Sequence, residues 1–591
     1  MAESVECGGF HVKAQSLDGR GAWRSDPIVP LLSAITALVP IVVLCIFEFP
    51  FYSMNPDDQV QALFASGRFL NADNALLMPY TLAPVSVPLT LLYRVFPAVP
   101  WYPLMLLVGT FISFAIAYDH LWRGGFRDAL CLSLTAVLVA LEVVTLGYFT
   151  YTVVAFLVIS AGFMLLLRHC AFERDAHVRV SDVAGCALII AGYGLRPESG
   201  MAALAVFSPF AIWVFMRNRR LSSVVRGIAA VGCIALTVVS GQIAYRLAPG
   251  WQSYPAYLDA GRSVLDYPAL DVDEVREIAP RLSENDVEVM YDWDFIDEDV
   301  FGTALFDRIG AASTRFNADN LLDSFGAKTT YLLLAFVCVT GLLAWLVARD
   351  LNRRDVGVLA FGIVFMLFVG CGVLVLRARP RLHVVIPLFI VALFALSTCG
   401  FAPRGAQLGK HAATSRERNV LFGRFATAIP VFVALGACVG CFGFFRLTVS
   451  PLSAQAVAPT VAAAHEYVED HPEQLVVCVH TQKLLYGAFN ALEFEEWDFP
   501  QNMLPVGGWE SHTAPWYSFL EAHGLASGDT LMELARRDDM VAIVQPRAME
   551  LLRTYLAEHL GRSISVDVVE DLGPGVVDPA SHLLVCRFIA E

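Results

Sequence analysis

Residues 28–59 read IVPLLSAITALVPIVVLCIFEFPFYSMNPDDQ. Up to Glu48 the stretch holds no charged residue, and a hydrocarbon core of about 30 Å needs roughly 20 apolar residues as helix, so 28–48 is read as a membrane span. Directly after it come two adjacent carboxylates, Asp57 and Asp58. Runs of the same kind recur near 101–119, 128–146, 150–168, 182–196, 200–216, 225–247, 329–348, 356–376, 381–399 and 424–447. A further apolar stretch, 76–96, carries Pro79, Pro84 and Pro88, each of which removes a backbone donor. It is expected to be re-entrant or peripheral, which leaves eleven crossings.

The composition agrees. Of 591 residues, 56% are hydrophobic and only 16% charged, at a mean hydropathy of +0.57. Soluble proteins carry roughly 45–50% apolar and about 25% charged residues, so a soluble enzyme is excluded. The net charge of -15 is unevenly spread. Residues 249–327 hold 17 Asp/Glu against 5 Lys/Arg, residues 448–591 hold 21 against 7, and the rest 18 against 29.

Short basic loops stay on the cytoplasmic side, whereas long loops are exported largely regardless of charge. Three basic loops stand out: Arg217, Arg219, Arg220 and Arg226; Arg349, Arg353 and Arg354; and Arg404, Lys410, Arg416, Arg418 and Arg424. With eleven crossings and a cytoplasmic amino terminus, all three fall inside and both acidic blocks outside. The first span follows a polar tail, 1–27, without a small-residue cleavage site, and is expected to be a retained anchor.

The expected fold is mainly α. A polytopic transmembrane domain of about 11–13 helices covers 28–447, including a first outer loop at 49–79 and a long outer loop at 249–327. A small extracytoplasmic α/β domain follows at 452–591. The long loop is expected to form short amphipathic helices over the membrane face, with an ordinary solvated acidic loop as the other reading. In the last domain Leu475 to Val479, Val541 to Gln545, Val566 to Val569 and His582 to Ile589 are strand patterns, and 482–488 and 546–560 helix patterns. Cys478 and Cys586 fall on strands, either as a disulfide or as buried thiols.

Asp57 and Asp58 can hold a divalent cation such as Mg or Mn, or one can act as a general base. Both also suit the first turn of a helix starting at Pro56. Arg196, and the triplet Arg377, Arg379 and Arg381, run against the orientation bias at the outer face. A guanidinium fork matches phosphate oxygens, so these are candidates for holding a lipid phosphate. Snorkelling, or an ion pair of Arg196 with Glu198, is the alternative. Glu142 is an intramembrane carboxylate and a candidate by default. His383, beside the triplet, is a further accessory candidate. No nucleotide fingerprint, zinc or haem spacing, nucleophile elbow or nucleic-acid-binding basic run is present.

The order of parts resembles the GT-C superfamily of membrane glycosyltransferases, which includes protein O-mannosyltransferases and the aminoarabinose transferases of lipid A. The resemblance lies in the acidic Asn55-Pro56-Asp57-Asp58 after the first span, the membrane-edge segment Tyr80 to Phe96 leading to Pro97-Ala98-Val99-Pro100-Trp101-Tyr102, the loop with Arg196, a long outer loop and an outer α/β domain. The chain is also similar to uncharacterised bacterial membrane proteins with this acidic pair. Their outer domain has a stretch like Gly507-Gly508-Trp509-Glu510-Ser511, followed by Trp516-Tyr517-Ser518-Phe519-Leu520.

The resemblance implies a polyprenyl-phosphate sugar donor, a glycan, lipid or protein acceptor in the cell envelope, and a multi-pass location in the cell membrane. It makes Asp57 or Asp58 the base or metal-binding acid, with Arg196 and the 377/379/381 cluster on the leaving phosphate. The competing functions are a non-catalytic transporter or assembly factor for lipid-linked oligosaccharides, and an O-antigen-type polymerase or ligase.

Overall fold

The chain is described here by a computed structural model covering residues 27–47, 56–71, 76–124, 126–172, 177–217, 221–313, 328–351, 354–377, 380–401, 420–444, 446, 459–479, 492, 500–575 and 580–591. The tail before residue 27, the basic loop at 404–418, Arg379 and the helix pattern at 482–488 lie outside these residues.

Each apolar run becomes a helix. In chain order these are α1 (Ile28–Ile46), α2 (Pro56–Ser66), α3 (Ala83–Val95), α4 (Trp101–Arg123), α5 (Asp128–Gly147), α6 (Tyr151–Phe172), α7 (Val180–Leu195), α8 (Pro197–Arg217) and α9 (Leu221–Leu247). Among the described residues nine helices are long and apolar enough to cross a membrane, and two more, at 180–195 and 431–443, are apolar but shorter. Nine of the eleven expected spans thus have a helix of spanning length, and the other two coincide with the shorter apolar helices. The proline-bearing stretch gives only the 13-residue α3, which packs on α2, α7 and α9 and leaves Leu91, Leu92, Val95 and Phe96 exposed. Such a helix is too short to span.

The long acidic segment folds as four short helices: α10 (Tyr254–Leu265), α11 (Val272–Ile278), α12 (Glu284–Tyr291) and α13 (Thr303–Ser313). Their starts are encoded locally. Asp271 and Ser283 each form a capping box, with Glu274 and Asp286 respectively. The bundle resumes with α14 (Lys328–Leu351), α15 (Arg354–Leu376), α16 (Leu382–Thr398) and α17 (Val420–Phe444).

Helices α6 and α16 are the most enclosed of the apolar helices. α6 contacts α4, α7, α8 and α16. Its crossing with α7 depends on small residues: a Cβ on Gly162 would lie 2.7 Å from the Gly185 carbonyl oxygen. Where lipid supplies no hydrophobic drive, close backbone approach of this kind supplies the packing. It fixes the start of α6 beside the end of α7.

The two ends of the bundle differ in charge chemistry. At one end Arg123 and Arg168 pair with Asp119, Arg127 with Asp350, and Arg226 with Asp182. Asp57, Asp58, Arg196 and the acidic segment gather at the other.

The last domain starts with α18 (Pro459–Asp470). It continues through β1 (Leu475–Cys478), β2 (Met503–Pro505), α19 (Ala514–Ala522), β3 (Met540–Val544), α20 (Pro546–Leu560), β4 (Ile564–Pro574) and β5 (His582–Ala590). The sheet order is β2-β1-β3-β5-β4, parallel across the first three strands and antiparallel across the last three. Four strands coincide with the sequence patterns; the three-residue β2 carried no strand signal of its own. Cys478 and Cys586 are both buried thiols and are not joined by a disulfide.

The acidic segment and this domain, separate blocks in sequence, are interlocked. Asp297 accepts hydrogen bonds from the Leu531 amide and the Tyr555 hydroxyl, and the Glu298 and Asp299 amides donate to the Ser527 and Gly528 carbonyls. Burial pushes the Asp297 carboxyl up to about 7. The Glu298 carboxylate accepts from His512, Tyr517 and Ser527, and these bonds, His512 foremost, hold it down to about 2.

A carboxylate depressed in the folded state stabilises it above its ordinary value near 4.5, and that contribution is lost as pH falls toward 2. We therefore expect the domain to loosen from the loop between about pH 4 and 2. Limited proteolysis should show this acid sensitivity in the wild type and a reduced pH dependence in Glu298→Gln.

Candidate functional site

Helix α2 starts at Pro56, which places Asp57 and Asp58 in its first turn, where the helix dipole favours a negative charge. Successive residues on a helix point about 100° apart, and the two carboxylates have different surroundings. Asp58 is buried, and its Oδ1 accepts from the Tyr102 hydroxyl (2.9 Å) and the Tyr151 amide (2.7 Å). It ties α2 to α4 and to the start of α6. Asp57 is half-buried, and its charge reaches Tyr80 and Glu510.

Tyr80 has φ +60°, a left-handed conformation costly for a side chain of this size. The Thr81 amide donates to the Pro79 carbonyl across it, closing a three-residue turn at 2.6 Å. The turn is pinned on three sides. Gln61 of α2 donates to the Pro79 carbonyl, Tyr245 of α9 to Met78 (2.6 Å), and the Leu82 amide to the Gly194 carbonyl (2.7 Å). Strain held by so many contacts marks a side chain kept in place. Burial first, then Asp57, raises the Tyr80 hydroxyl pKa well above its ordinary range.

Arg196 sits between α7 and α8, 9% exposed. Its Nη1 donates to the Tyr151 hydroxyl at 2.8 Å and to Thr152, and its Nε is 3.9 Å from Glu198. Glu198 is half exposed and also accepts from Arg262 of α10 at 2.5 Å, while Arg262 reaches Asp266 at 3.5 Å. Both guanidinium carbons lie 5.7 Å from the Tyr80 ring centre. Burial alone would lower the Arg262 pKa, but Glu198, Tyr80 and Asp266 raise it. Two fixed cations thus flank one aromatic ring beside Asp57.

The C-terminal domain covers this array. Gly507 and Gly508 have φ +73° and +74°, and a Cβ on Gly507 would lie 1.3 Å from the Trp293 carbonyl oxygen. The turn brings Trp509 edge-on to Tyr80 (5.8 Å between ring centres) and to Trp293 (5.0 Å), while the Tyr254 hydroxyl donates to the Trp509 carbonyl. Glu510, the next residue, is buried, and burial pushes its carboxyl up to about 8. The amides of Glu510 and Trp509 hold it down in part, and Asp57 adds to the rise.

An alanine at Gly507 carries the left-handed penalty of about 1–2 kcal/mol and must also displace the Trp293 carbonyl. Gly507→Ala is expected to unseat the 507–513 turn, lower the thermal midpoint, and expose the domain to protease.

The structure thus gathers Asp57, Asp58, Arg196 and Glu198 at one end of the bundle. It adds Tyr80, Arg262 and Glu510, which the sequence did not single out as site residues. Arg262 lay inside an acidic block and so broke no pattern; Glu510 stood within Gly507-Gly508-Trp509-Glu510-Ser511, with nothing to show where that stretch docks.

Arg377 donates to the Tyr267 hydroxyl at 3.0 Å, one residue beyond the Asp266 that pairs with Arg262. Arg381 is exposed and, with Asp58, acts on Tyr148, whose pKa is raised chiefly by burial. His383 is half-buried in the first turn of α16. Glu142 is not part of the array. It is fully buried among the residues of a separate apolar cluster, and its Oε2 accepts from the Tyr118 hydroxyl at 2.8 Å, linking α5 to α4.

Asp58 Oδ1 already accepts two hydrogen bonds, and among the described residues no three His, Cys, Asp or Glu side chains converge. Chemically, the site offers one half-buried carboxylate, the buried Arg196 with the half-buried Arg262, and an aromatic wall, all at one end of the helix bundle. No family model, curated protein or solved structure matches this chain.

Proposed function

We propose that this chain is an integral membrane glycosyltransferase that moves a sugar from a polyprenyl-phosphate donor to an acceptor hydroxyl at the outer membrane face. The observation that carries this is the acidic pair at the start of α2, joined to the array through Asp58: it accepts from the Tyr151 amide, the Tyr151 hydroxyl accepts from Arg196, and Glu198 links Arg196 to Arg262. The basic helix ends gather at the pole opposite the C-terminal domain, which supports a cytoplasmic position for that pole and an extracytoplasmic one for the domain.

In this mechanism Asp57 takes the proton of the acceptor hydroxyl, whose oxygen attacks the anomeric carbon. The bond from that carbon to the phosphate oxygen breaks, and the oxygen keeps the electron pair as polyprenyl phosphate departs. Arg196, with Arg262 behind it, stabilises the charge gained by the leaving group. Asp58 is a positioning residue, since it anchors α2 to Tyr102 and the start of α6. No step is routed through a metal.

The test is transfer of labelled sugar by the purified chain from a panel of polyprenyl-phosphate donors carrying mannose, glucose, galactose or arabinose. Release of free polyprenyl phosphate together with a glycosylated product is the expected result; no turnover with any donor overturns the proposal.

A further inference from the structure

We propose that Glu198 is a displaceable counter-ion: its carboxylate occupies the seat of a phosphate group between Arg196 and Arg262, and a lipid-linked phosphate exchanges with it by moving it into solvent. This rests on the transferase function proposed above and names how the same site is filled and emptied.

Contacts and exposure lead to it. The Glu198 carboxylate bridges two cations, with Oε1 2.5 Å from Arg262 Nη1 and Oε2 3.9 Å from Arg196 Nε. The second separation is beyond hydrogen-bond reach, so one guanidinium holds the acid closely and the other loosely. Each arginine has anchors of its own. Arg196 Nη1 donates to Tyr151 and Thr152, and Arg262 Nε lies 3.5 Å from Asp266. Both guanidinium carbons stand 5.7 Å from the ring centre of Tyr80, whose turn is pinned by α2, α7 and α9. Withdrawing Glu198 therefore leaves both cations held. Exposure differs in the same sense: the side chains of Arg196 and Arg262 are 11% and 16% exposed, that of Glu198 52%. The carboxylate is the solvent-facing member, so the space between the arginines opens to water when that one side chain moves.

A phosphate suits this space better than the glutamate does. A carboxylate presents two oxygens in one plane, and here it meets only one arginine closely. A phosphate monoester presents three oxygens around a tetrahedral centre, and guanidinium forks match them in pairs, so one group can engage both cations. It also carries a charge of about -1.5 to -2 at neutral pH against one on glutamate. An ion pair with an exposed partner is screened by water and contributes little, so its loss is readily offset. Exchange of one anion for another leaves neither arginine as an uncompensated charge. A neutral lipid alcohol offers no such exchange. After transfer, the return of Glu198 to Arg262 competes with polyprenyl phosphate and favours its departure.

The experiment is isothermal titration calorimetry on the full chain in detergent micelles, with farnesyl phosphate, inorganic phosphate and farnesol as probes. The wild type is expected to bind farnesyl phosphate and to give no saturable heat with farnesol. Glu198→Gln keeps the shape of the side chain and removes the competing charge, and is expected to bind farnesyl phosphate about 10-fold more tightly. Glu198→Ala is expected to do the same, and provides a second variant if glutamine fails to fold. Arg262→Gln is expected to bind about 10-fold more weakly. Thermal midpoints near wild type confirm that the variants are folded. The sign is the discriminating readout: a glutamate that only supports the arginines would weaken binding when removed. Tightening with both phosphates supports a seat for the phosphate group itself, and tightening with farnesyl phosphate alone supports one that also requires the lipid chain.

If both Glu198 variants bind farnesyl phosphate no more tightly than the wild type, if Arg262→Gln binds it undiminished, or if farnesol binds equally well, the displaceable carboxylate is overturned. Any of these results together with sugar transfer by the wild type leaves the transferase standing. Tighter binding by the Glu198 variants, with no sugar released from any polyprenyl-phosphate donor, keeps the phosphate seat and sinks the transferase instead.

Discussion

Asp57→Asn is expected to lower sugar transfer by roughly 1,000-fold or more while the protein still inserts and keeps its thermal midpoint. Asparagine has nearly the shape of aspartate but cannot take a proton. Asp57 is the half-buried member of the acidic pair, whereas the Tyr102 and Tyr151 contacts fall on Asp58. Its conversion to asparagine removes the base and keeps the size of the side chain.

Asp58→Asn supplies the contrast. It converts two hydrogen bonds onto a buried carboxylate into weaker bonds onto an amide, so it should lower the thermal midpoint as well as activity. Equal loss of midpoint in both variants, or transfer by Asp57→Asn near wild type, removes Asp57 from the mechanism. A transporter or assembly factor that only holds lipid phosphate would tolerate the Asp57 change.

Arg196→Gln is expected to reduce transfer by about 100-fold or more, chiefly in kcat. Its side chain is enclosed by Tyr151, Thr152 and Glu198, and its geometry is set before any ligand arrives. Such preorganisation is what makes a donor effective as charge develops on a leaving group. Arg196→Lys should recover little, because a point-like ammonium cannot reach Tyr151, Thr152 and a phosphate oxygen together. Steady-state kinetics of the three proteins, with the donor varied at fixed acceptor, measures this. A pure rise in KM at unchanged kcat would assign Arg196 to ground-state binding alone.

The long helices were legible because each appears as an uninterrupted apolar run of the length a bilayer needs. The short α3 was legible for a different reason, since Pro79, Pro84 and Pro88 left no room for a full-length helix. The roles of Asp57 and Asp58 could not be separated, because adjacent residues differ only in helix azimuth, which depends on where Tyr102 and Tyr151 lie. Arg262 and Glu510 were hidden by distance along the chain. A residue in α10 meets one after Pro197 only through tertiary packing, and no local pattern encodes that. Glu142 drew attention by rarity, and the Tyr118 hydroxyl that it accepts from lies 24 residues earlier in the chain, at a place the sequence did not indicate.

The interlock between the acidic helices and the C-terminal domain also governs the order in which the molecule becomes competent. A chain is made from its amino terminus, so Asp57, Tyr80, Arg196 and Arg262 are in place long before Trp509 and Glu510 emerge. Asp297 and Glu298 remain without their Leu531, Tyr555 and His512 partners until the chain has grown past Tyr555. A nascent chain that ends before this domain therefore lacks the turn whose Trp509 packs on Tyr80. Under the proposed function, a product truncated before Gly507 is expected to show no sugar transfer.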